Sequence, residues 1–145
     1  MAYNIYSYPD CKITLAHPDV GSVPLHEKGM GRVVVASAGD LSSHTNTADG
    51  YVVVNRLKTT NGTISMEVPQ NSAADGFLRR WAKWARDPGS NPNRIALGTL
   101  TIQDTAAGFT VTCTGVSLQK VPDRTFDRTA TNLTYTLLAT TITEQ

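Results

Sequence analysis

A mainly β fold with a single α-helix is predicted by three features of the amino-acid sequence. Runs of strand length rich in valine, threonine and isoleucine recur along it, at Arg32–Ala36, Tyr51–Leu57, Thr63–Val68, Phe109–Thr114 and Asn132–Thr143. β-Branched side chains lose little on a pleated surface and are stiff in a helix. Apolar residues follow helical spacing in one stretch only, the segment that begins near Ser72 and ends near Arg86. Gly, Pro, Asn and Asp clusters separate the runs and supply the backbone conformations that turns need.

Taken in order, Tyr3–Tyr8 reads as a short strand stopped by Pro9-Asp10, and Lys12–Leu15 as a second stopped by His17-Pro18-Asp19. Gly21–Gly31, with its glycines, proline and charges, reads as a loop. RVVVA (Arg32–Ala36) and YVVVNRL (Tyr51–Leu57) are apolar strands. The stretch between them, Ser37–Gly50, is small, polar and far longer than the two to five residues of a typical hairpin loop. Asn61-Gly62 predicts a tight hairpin turn, because type I′ geometry needs positive φ at both central positions. The strand after it alternates, with Ile64, Met66 and Val68 on one face and Thr63, Ser65 and Glu67 on the other.

Pro69 to Ser72 ends that strand, and Asn71 or Ser72 can cap the helix with Asp75 in its first turn. Phe77, Leu78, Trp81, Trp84 and Ala85 form its apolar stripe, and Phe77, Trp81 and Trp84 are expected to pack on the sheet. Arg79, Lys83 and Arg86 lie on the outer side, free to meet an acidic partner. Asp87-Pro88-Gly89 ends the helix. Ile95–Gln103 and Phe109–Thr114 form a hairpin around Asp104–Gly108, and the second strand is expected to run on to Val121 through a kink or bulge at Gly115. Pro122–Thr131 is a charged loop, and Asn132–Thr143 the last strand. The whole amounts to about seven strands and one helix, without repeats.

The 145 residues are expected to form one domain, 1–145, large enough to bury roughly 68–70% of its unfolded surface without metal or disulfide staples. Charged residues make up 17% of the chain, against about 25% in ordinary globular proteins. A charge deficit is what subunit interfaces produce, because their cores exclude charge. The net charge is +1 and the isoelectric point about 7.8, below the value of roughly 9 or more typical of dedicated nucleic-acid binders. Met1–Asp10 has neither a basic start nor an apolar core, so no secretory signal is expected, and no apolar run suits a membrane helix.

Catalytic chemistry is not indicated. His17, His26 and His44 fall in predicted loops without the spacing of a metal site, and surface imidazoles are expected. Cys11 and Cys113 lack the surroundings of a reactive thiol and are expected to be buried and free, a bridge being the alternative. No nucleophile elbow or phosphate loop occurs, and Gly29-Met30-Gly31 is too short for one. Asp104, Asp123 and Asp127 suit turn capping. No catalytic residue, metal or cofactor is expected.

Threonine-rich strands, low charge and a long ordered polar stretch suit a self-assembling structural subunit. Gly115-Val116-Ser117 running to Lys120-Val121-Pro122-Asp123, and then Asn132-Leu133-Thr134-Tyr135-Thr136-Leu137 ending in Ala139-Thr140-Thr141-Ile142, resemble the C-terminal part of tail tube proteins of contractile-tailed bacteriophages. Ala48-Asp49-Gly50 before an apolar strand, Asn61-Gly62-Thr63 opening the next, and a helix with Phe77, Leu78 and Trp81 match the same family in the same order, over Arg32 to Ile142. The resemblance implies two packed, nearly orthogonal antiparallel β-sheets, a β-sandwich or half-barrel flanked by one helix. It also implies hexameric rings whose inner sheets join into a β-barrel, and rings stacked into a hollow tube inside a contractile sheath.

The implied partners are further copies of the chain, a tail sheath protein, tube initiator and terminator proteins, and DNA that passes through the lumen without specific binding. No membrane insertion is implied. The implied location is the virion tail, assembled in host cytoplasm. On that basis Ser37, Asp40, Leu41, Ser42, His44, Asn46 and Asp49 are candidates for ring-to-ring contact, Thr63, Ser65 and Glu67 for the luminal wall, and Arg79, Lys83 and Arg86 on the outer helix for the side that faces the sheath. A lysine-lined bore would hold phosphate, whereas a neutral polar one would let DNA slide. The alternatives are the tube of a bacteriocin or secretion-type injection device, and a monomeric β-barrel or sandwich binding module.

Overall fold

The computed structural model describes residues 11–25 and 32–145. The predicted strand Tyr3–Tyr8, the Gly29-Met30-Gly31 segment and His26 lie outside them. Ten strands and one α-helix follow in order: β1 (Cys11–His17), β2 (Gly21–Pro24), β3 (Val33–Ser37), β4 (Ser42–Asn46), β5 (Val52–Arg56), β6 (Gly62–Pro69), α1 (Ala73–Arg86), β7 (Gly98–Asp104), β8 (Phe109–Lys120), β9 (Asn132–Ala139) and β10 (Thr141–Glu144). The mainly β class with one helix and two antiparallel sheets is as expected. Eight strands join in the order β2-β1-β7-β8-β9-β6-β3, with β10 also on β8, while β4 and β5, among the described residues, pair only with each other.

The eight-stranded sheet is bent into two halves that share β8, and Gly115 makes the bend. Thr99 pairs with Thr114 but Gly98 with Val116, so Gly115 is an extra residue in the ladder. Its φ of +63° is a left-handed conformation that glycine adopts without strain. The first part of β8 pairs with β7 and β10, and its last part with β9. The run predicted as one final strand therefore breaks at Thr140. Its N–H donates to the Gly115 carbonyl at 3.2 Å, and its hydroxyl donates to the same oxygen at 2.9 Å.

Alternation fills the core from both halves. Ile64, Met66 and Val68 of β6, Leu133, Tyr135 and Leu137 of β9, Ile13 and Leu15 of β1, and Leu100 of β7 join one buried cluster. Helix α1 adds Ala74, Phe77, Leu78 and Trp81 to that cluster. Ala82 is buried, Trp84 only partly so, and Ala85 faces solvent, which rotates the stripe slightly from the predicted one. Cys11 and Cys113 are both free and buried.

Four other expectations are corrected. Gly21–Pro24 is strand β2, paired antiparallel with β1, where a loop was predicted. His17 ends β1 and is 2% exposed, not a surface imidazole. The Asp19 N–H donates to its Nδ1 at 3.1 Å, its Nε2 donates to the Arg94 carbonyl at 3.1 Å, and its ring lies 4.5 Å from that of Trp84. Asn61-Gly62 does not form the predicted hairpin, because β6 pairs with β3 and β9 and not with β5. Gly62 is needed for another reason: a Cβ there would collide with the Ala36 carbonyl oxygen and the Ile142 side chain.

The fourth correction concerns Ser37–Gly50, which holds the end of β3 and all of β4. Ser42–Asn46 pairs antiparallel with Val52–Arg56 around a turn at Thr47–Gly50. There the Thr47 N–H donates to the Tyr51 carbonyl at 2.8 Å. Small polar residues make this strand because their partner supplies the β-branched face, while Asn55 donates to the hydroxyls of Ser43 and Thr45 at 3.2 and 3.1 Å.

Candidate functional site

Three surfaces stand out: a projecting ribbon, an open sheet face and a trough beside the helix. The ribbon grows from paired ends of β3 and β6. Ser37 faces Gly62, the Ala38 N–H donates to the Asn61 carbonyl at 3.0 Å, and beyond that bond the chain leaves the main sheet to form β4–β5. A hydrogen bond from the Leu57 N–H to the Leu41 carbonyl at 2.9 Å closes the ribbon's base. Its apolar content is turned to solvent. Leu41 is 72% exposed, Tyr51 68% and Val54 65%, with Val52 and Val53 also exposed. Neighbours in sequence point to opposite faces, so Val53 on one side and Val52 and Val54 on the other leave both faces of the ribbon uncovered.

Each ring-contact candidate is exposed along this arm. Ser37 is at the root, Asp40 and Leu41 in the rising link, Ser42, His44 and Asn46 on β4, and Asp49 in the terminal turn. Asp49's carboxyl is held below its usual range by the Thr47 hydroxyl and by backbone N–H groups. Val52, Val53 and Val54 were not among the candidates, because VVV reads as a core strand and only the missing sheet partner shows otherwise.

The open face belongs to the half-sheet β8-β9-β6-β3. Thr63, Ser65 and Glu67 share its outer side and are half-buried. Register sets Ala36 and Leu138 beside Thr63, Val34 and Thr136 beside Ser65, and Thr134 beside Glu67. The Glu67 N–H donates to the Arg32 carbonyl at 3.0 Å, and Arg32, Val34, Ser65, Glu67 and Thr134 line a shallow hollow of about 290 Å³. The face thus mixes small polar residues with the exposed Val34 and Leu138, and Arg32, Lys120 and Glu67 are its charges.

Both edges of this half-sheet are open among the described residues. β3 pairs on one side only, and the last residues of β8, Ser117–Lys120, pair with β9 but with nothing on their other side. The opposite half-sheet presents a threonine-rich outer face. Thr99, Thr101, Thr112 and Thr114 sit in register with Thr14, Thr141 and Thr143.

Helix α1 starts at a reciprocal cap. The Asp75 N–H donates to Ser72 Oγ at 3.2 Å, and the Asn71 N–H donates to Asp75 Oδ2 at 3.0 Å. The fully buried Asp75 carboxylate also receives Arg124 Nη1 and Nη2 at 3.1 and 2.8 Å and the Tyr135 hydroxyl at 2.8 Å. Burial raises Asp75's pKa, but the bonds from Arg124, Tyr135 and Asn71 outweigh it and hold the carboxyl below its usual range. Burial, reinforced by the Asp75 charge, pushes the Tyr135 hydroxyl up to about 12. Arg124 was not predicted as a functional residue, and no spacing rule links it to Asp75 across the intervening strands.

Arg79, Lys83 and Arg86 project from the exposed side of α1, and Phe77 and Trp81 are fully buried beneath it. No group of three or more His, Cys, Asp or Glu among the described residues could hold a metal ion. None of their helices is long and apolar enough to cross a membrane.

The family model described as the bacteriophage PhiTE tail tube protein matches residues 3–145. No curated protein matches in sequence. Among solved structures, a chain of the anti-feeding prophage baseplate is similar with a TM-score of 0.67 and 9% identity, covering 100% of this chain and 97% of that one. A chain of the anti-feeding prophage tube-terminating cap gives 0.62 and 15%, covering 100% and 93%. A chain of the PVC extracellular contractile injection system, from its sheath–tube complex in the extended state, gives 0.60 and 16%, covering 100% and 93%. At such identities these likenesses speak to fold.

Proposed function

The chain belongs to the bacteriophage PhiTE tail tube protein family, and from that premise we propose that its copies close into hexameric rings and stack as the conduit for genome delivery inside a contractile sheath. The protein is a structural tail tube subunit. The observation that carries the ring is that, among the described residues, β3 and the Ser117–Lys120 end of β8 each lack a second partner in the half-sheet β8-β9-β6-β3. An open edge is a template for another strand, and isolated edges invite aggregation. If β3 of one copy joins Ser117–Lys120 of the next, every copy uses two different edges, and such a head-to-tail contact closes into a ring when its rotation allows.

Closure in this sense turns the Thr63, Ser65 and Glu67 face into a continuous wall. The core and α1 are on the other side of that half-sheet, so this face is the luminal one in the proposal. Thr63, Ser65, Thr134 and Thr136 carry no charge and Glu67 stands beside Arg32, so with Lys120 at the β8 edge as the other cation this face offers phosphate little grip. The ribbon then reaches out of the ring, and its Val52–Val54 faces find cover on the adjoining ring. Sheath on the outside, and initiator and terminator proteins at the ends, complete the partners, with assembly in host cytoplasm.

Negative-stain microscopy of the purified protein tests the reading. Rings or hollow rods are expected. A species that stays monomeric at high concentration would favour the monomeric binding module instead.

A further inference from the structure

We propose that the trough along the outer side of α1 receives a carboxylate-rich segment of the enclosing sheath protein; this rests on the tube reading above and names the chemistry of one of its contacts. The trough runs between α1 and the end of β8 with the loop that follows. Its main hollow, about 520 Å³, is lined by Arg79, Lys83 and Arg86 from the helix and by Val121 and Arg124 from the other wall, over Ala82. An adjoining hollow of about 190 Å³ shares Ala82, Arg86 and Val121 and adds Lys120. Five cations thus line the two hollows, and Asp87 is the one carboxylate among their lining residues.

This concentration does not reflect a basic protein. The chain has 13 Lys and Arg against 12 Asp and Glu, so five cations set against Asp87 and the buried Asp75 that Arg124 bonds is a local arrangement. It also costs the helix something. Arg79, Lys83 and Arg86 are spaced i, i+4 and i+7, where like charges repel by a few tenths of a kcal/mol per pair. The only acid within α1 is Asp75. Arg79 comes no closer to it than 3.7 Å, and the bidentate bond from Arg124 already occupies both its oxygens. Lys83 and Arg86 have no ion pair among the described residues. Arg124, by contrast, is fixed in place by Asp75, so less ordering is needed when a partner arrives.

The occupant's chemistry follows from the lining. Several cations in a row select carboxylates, and the apolar floor of Ala82 and Val121 suits aliphatic side chains between them. Phosphate is the other anion that would fit the charge. DNA in the proposed bore runs along the opposite face of the half-sheet, with the core between, and cannot reach the trough.

The test uses assembled tubes and two fluorescein-labelled probes, a repeating Glu-Glu-Leu peptide and its Lys-Lys-Leu counterpart, read by co-sedimentation. Wild-type tubes are expected to retain the acidic peptide only, and less of it as salt rises. Lys83→Glu with Arg86→Glu should cut retention by about tenfold or more while microscopy still shows tubes. Lys12→Glu, away from the trough, should change nothing. Co-expressed with the sheath protein, the double variant should give bare tubes.

Loss of retention in the Lys12→Glu control, equal retention of single-stranded DNA at the same residues, or sheathed tubes from the double variant would each overturn the proposal. If wild-type protein makes no tubes, the tube reading fails separately, and anisotropy of the same peptide on the free subunit still decides whether the trough binds carboxylates. Lys83→Gln with Arg86→Gln serves there should the reversals not fold.

Discussion

Asp75 anchors three parts of the chain that sequence order keeps apart. Its carboxylate takes hydrogen bonds from the helix entry at Asn71, from Arg124 in the loop after β8 and from Tyr135 on β9. Removing one partner of a buried charge pair leaves the other uncompensated, so Asp75→Ala is expected to cost about 3–5 kcal/mol. The drop should appear in urea unfolding, and a cost within experimental error would show that the cluster is not holding the fold. The same group gives acid sensitivity. Its folded pKa lies below the ordinary value of 3.8, so its contribution is complete above that value and drains away as pH falls through the folded one. Tyr135 works in the opposite range. Its hydroxyl is raised from 10 to about 12, so stability is complete below pH 10 and declines as pH climbs towards 12. Tyr135→Phe should lose roughly 1 kcal/mol near neutral pH and flatten that alkaline decline; an unchanged alkaline limb in melts across pH would place its cause elsewhere. Asp75 is legible in the sequence as a helix-start acid, because that role depends on neighbours in the chain. The cluster is not legible there, because Arg124 and Tyr135 arrive through the sheet.

The ribbon β4–β5 is where local pattern and tertiary position part company. YVVVNRL has the composition of a buried strand, yet Val52, Val53 and Val54 are all exposed. A strand's chemistry says that it pairs, not with what. The polar length of Ser37–Gly50 was readable as a feature with a purpose, but not as a strand, since Ser, Thr and Asn acquire β structure here only from their partner. By contrast β6, α1 and the Gly115 bulge were readable, each being set by alternation, capping or a required φ within a few residues. A lone two-stranded ribbon is marginal in water, so the proposed stacking predicts a clean separation of effects. Val52→Lys with Val54→Lys alters positions that touch no core, and subunit stability should stay within about 0.5 kcal/mol of wild type per site. Long tubes should disappear, leaving rings or short stacks in micrographs. Normal tubes from this variant would remove the ribbon from the ring-to-ring joint.

At the scale of the molecule, β3 has an open edge among the described residues, and its geometry permits a sharper test than disrupting the fold. In an antiparallel ladder, residues alternate between those that bond their partner and those whose N–H and C=O point the other way. The Glu67 N–H bonds the Arg32 carbonyl, and the Ala38 N–H bonds the Asn61 carbonyl. By the same parity Val34 and Ala36 bond β6, while Val33, Val35 and Ser37 turn their backbone groups outward. Val35 faces Ile64 across the strand pair, but its N–H is the one a neighbouring copy would use. Proline at such a position removes no bond within the subunit, which is why sheets tolerate it on edges. Val35→Pro is therefore expected to give a folded, soluble monomer with the wild-type circular dichroism spectrum and no rings by sedimentation velocity. Val34→Pro, one residue along, should unfold or destabilise the subunit itself, because its N–H belongs to the ladder with β6. That pair of outcomes distinguishes an edge completed by another copy from one that merely borders solvent. Tubes of ordinary length from Val35→Pro would mean that ring closure uses some other surface, and would leave the Thr63, Ser65 and Glu67 face without its claim to the bore.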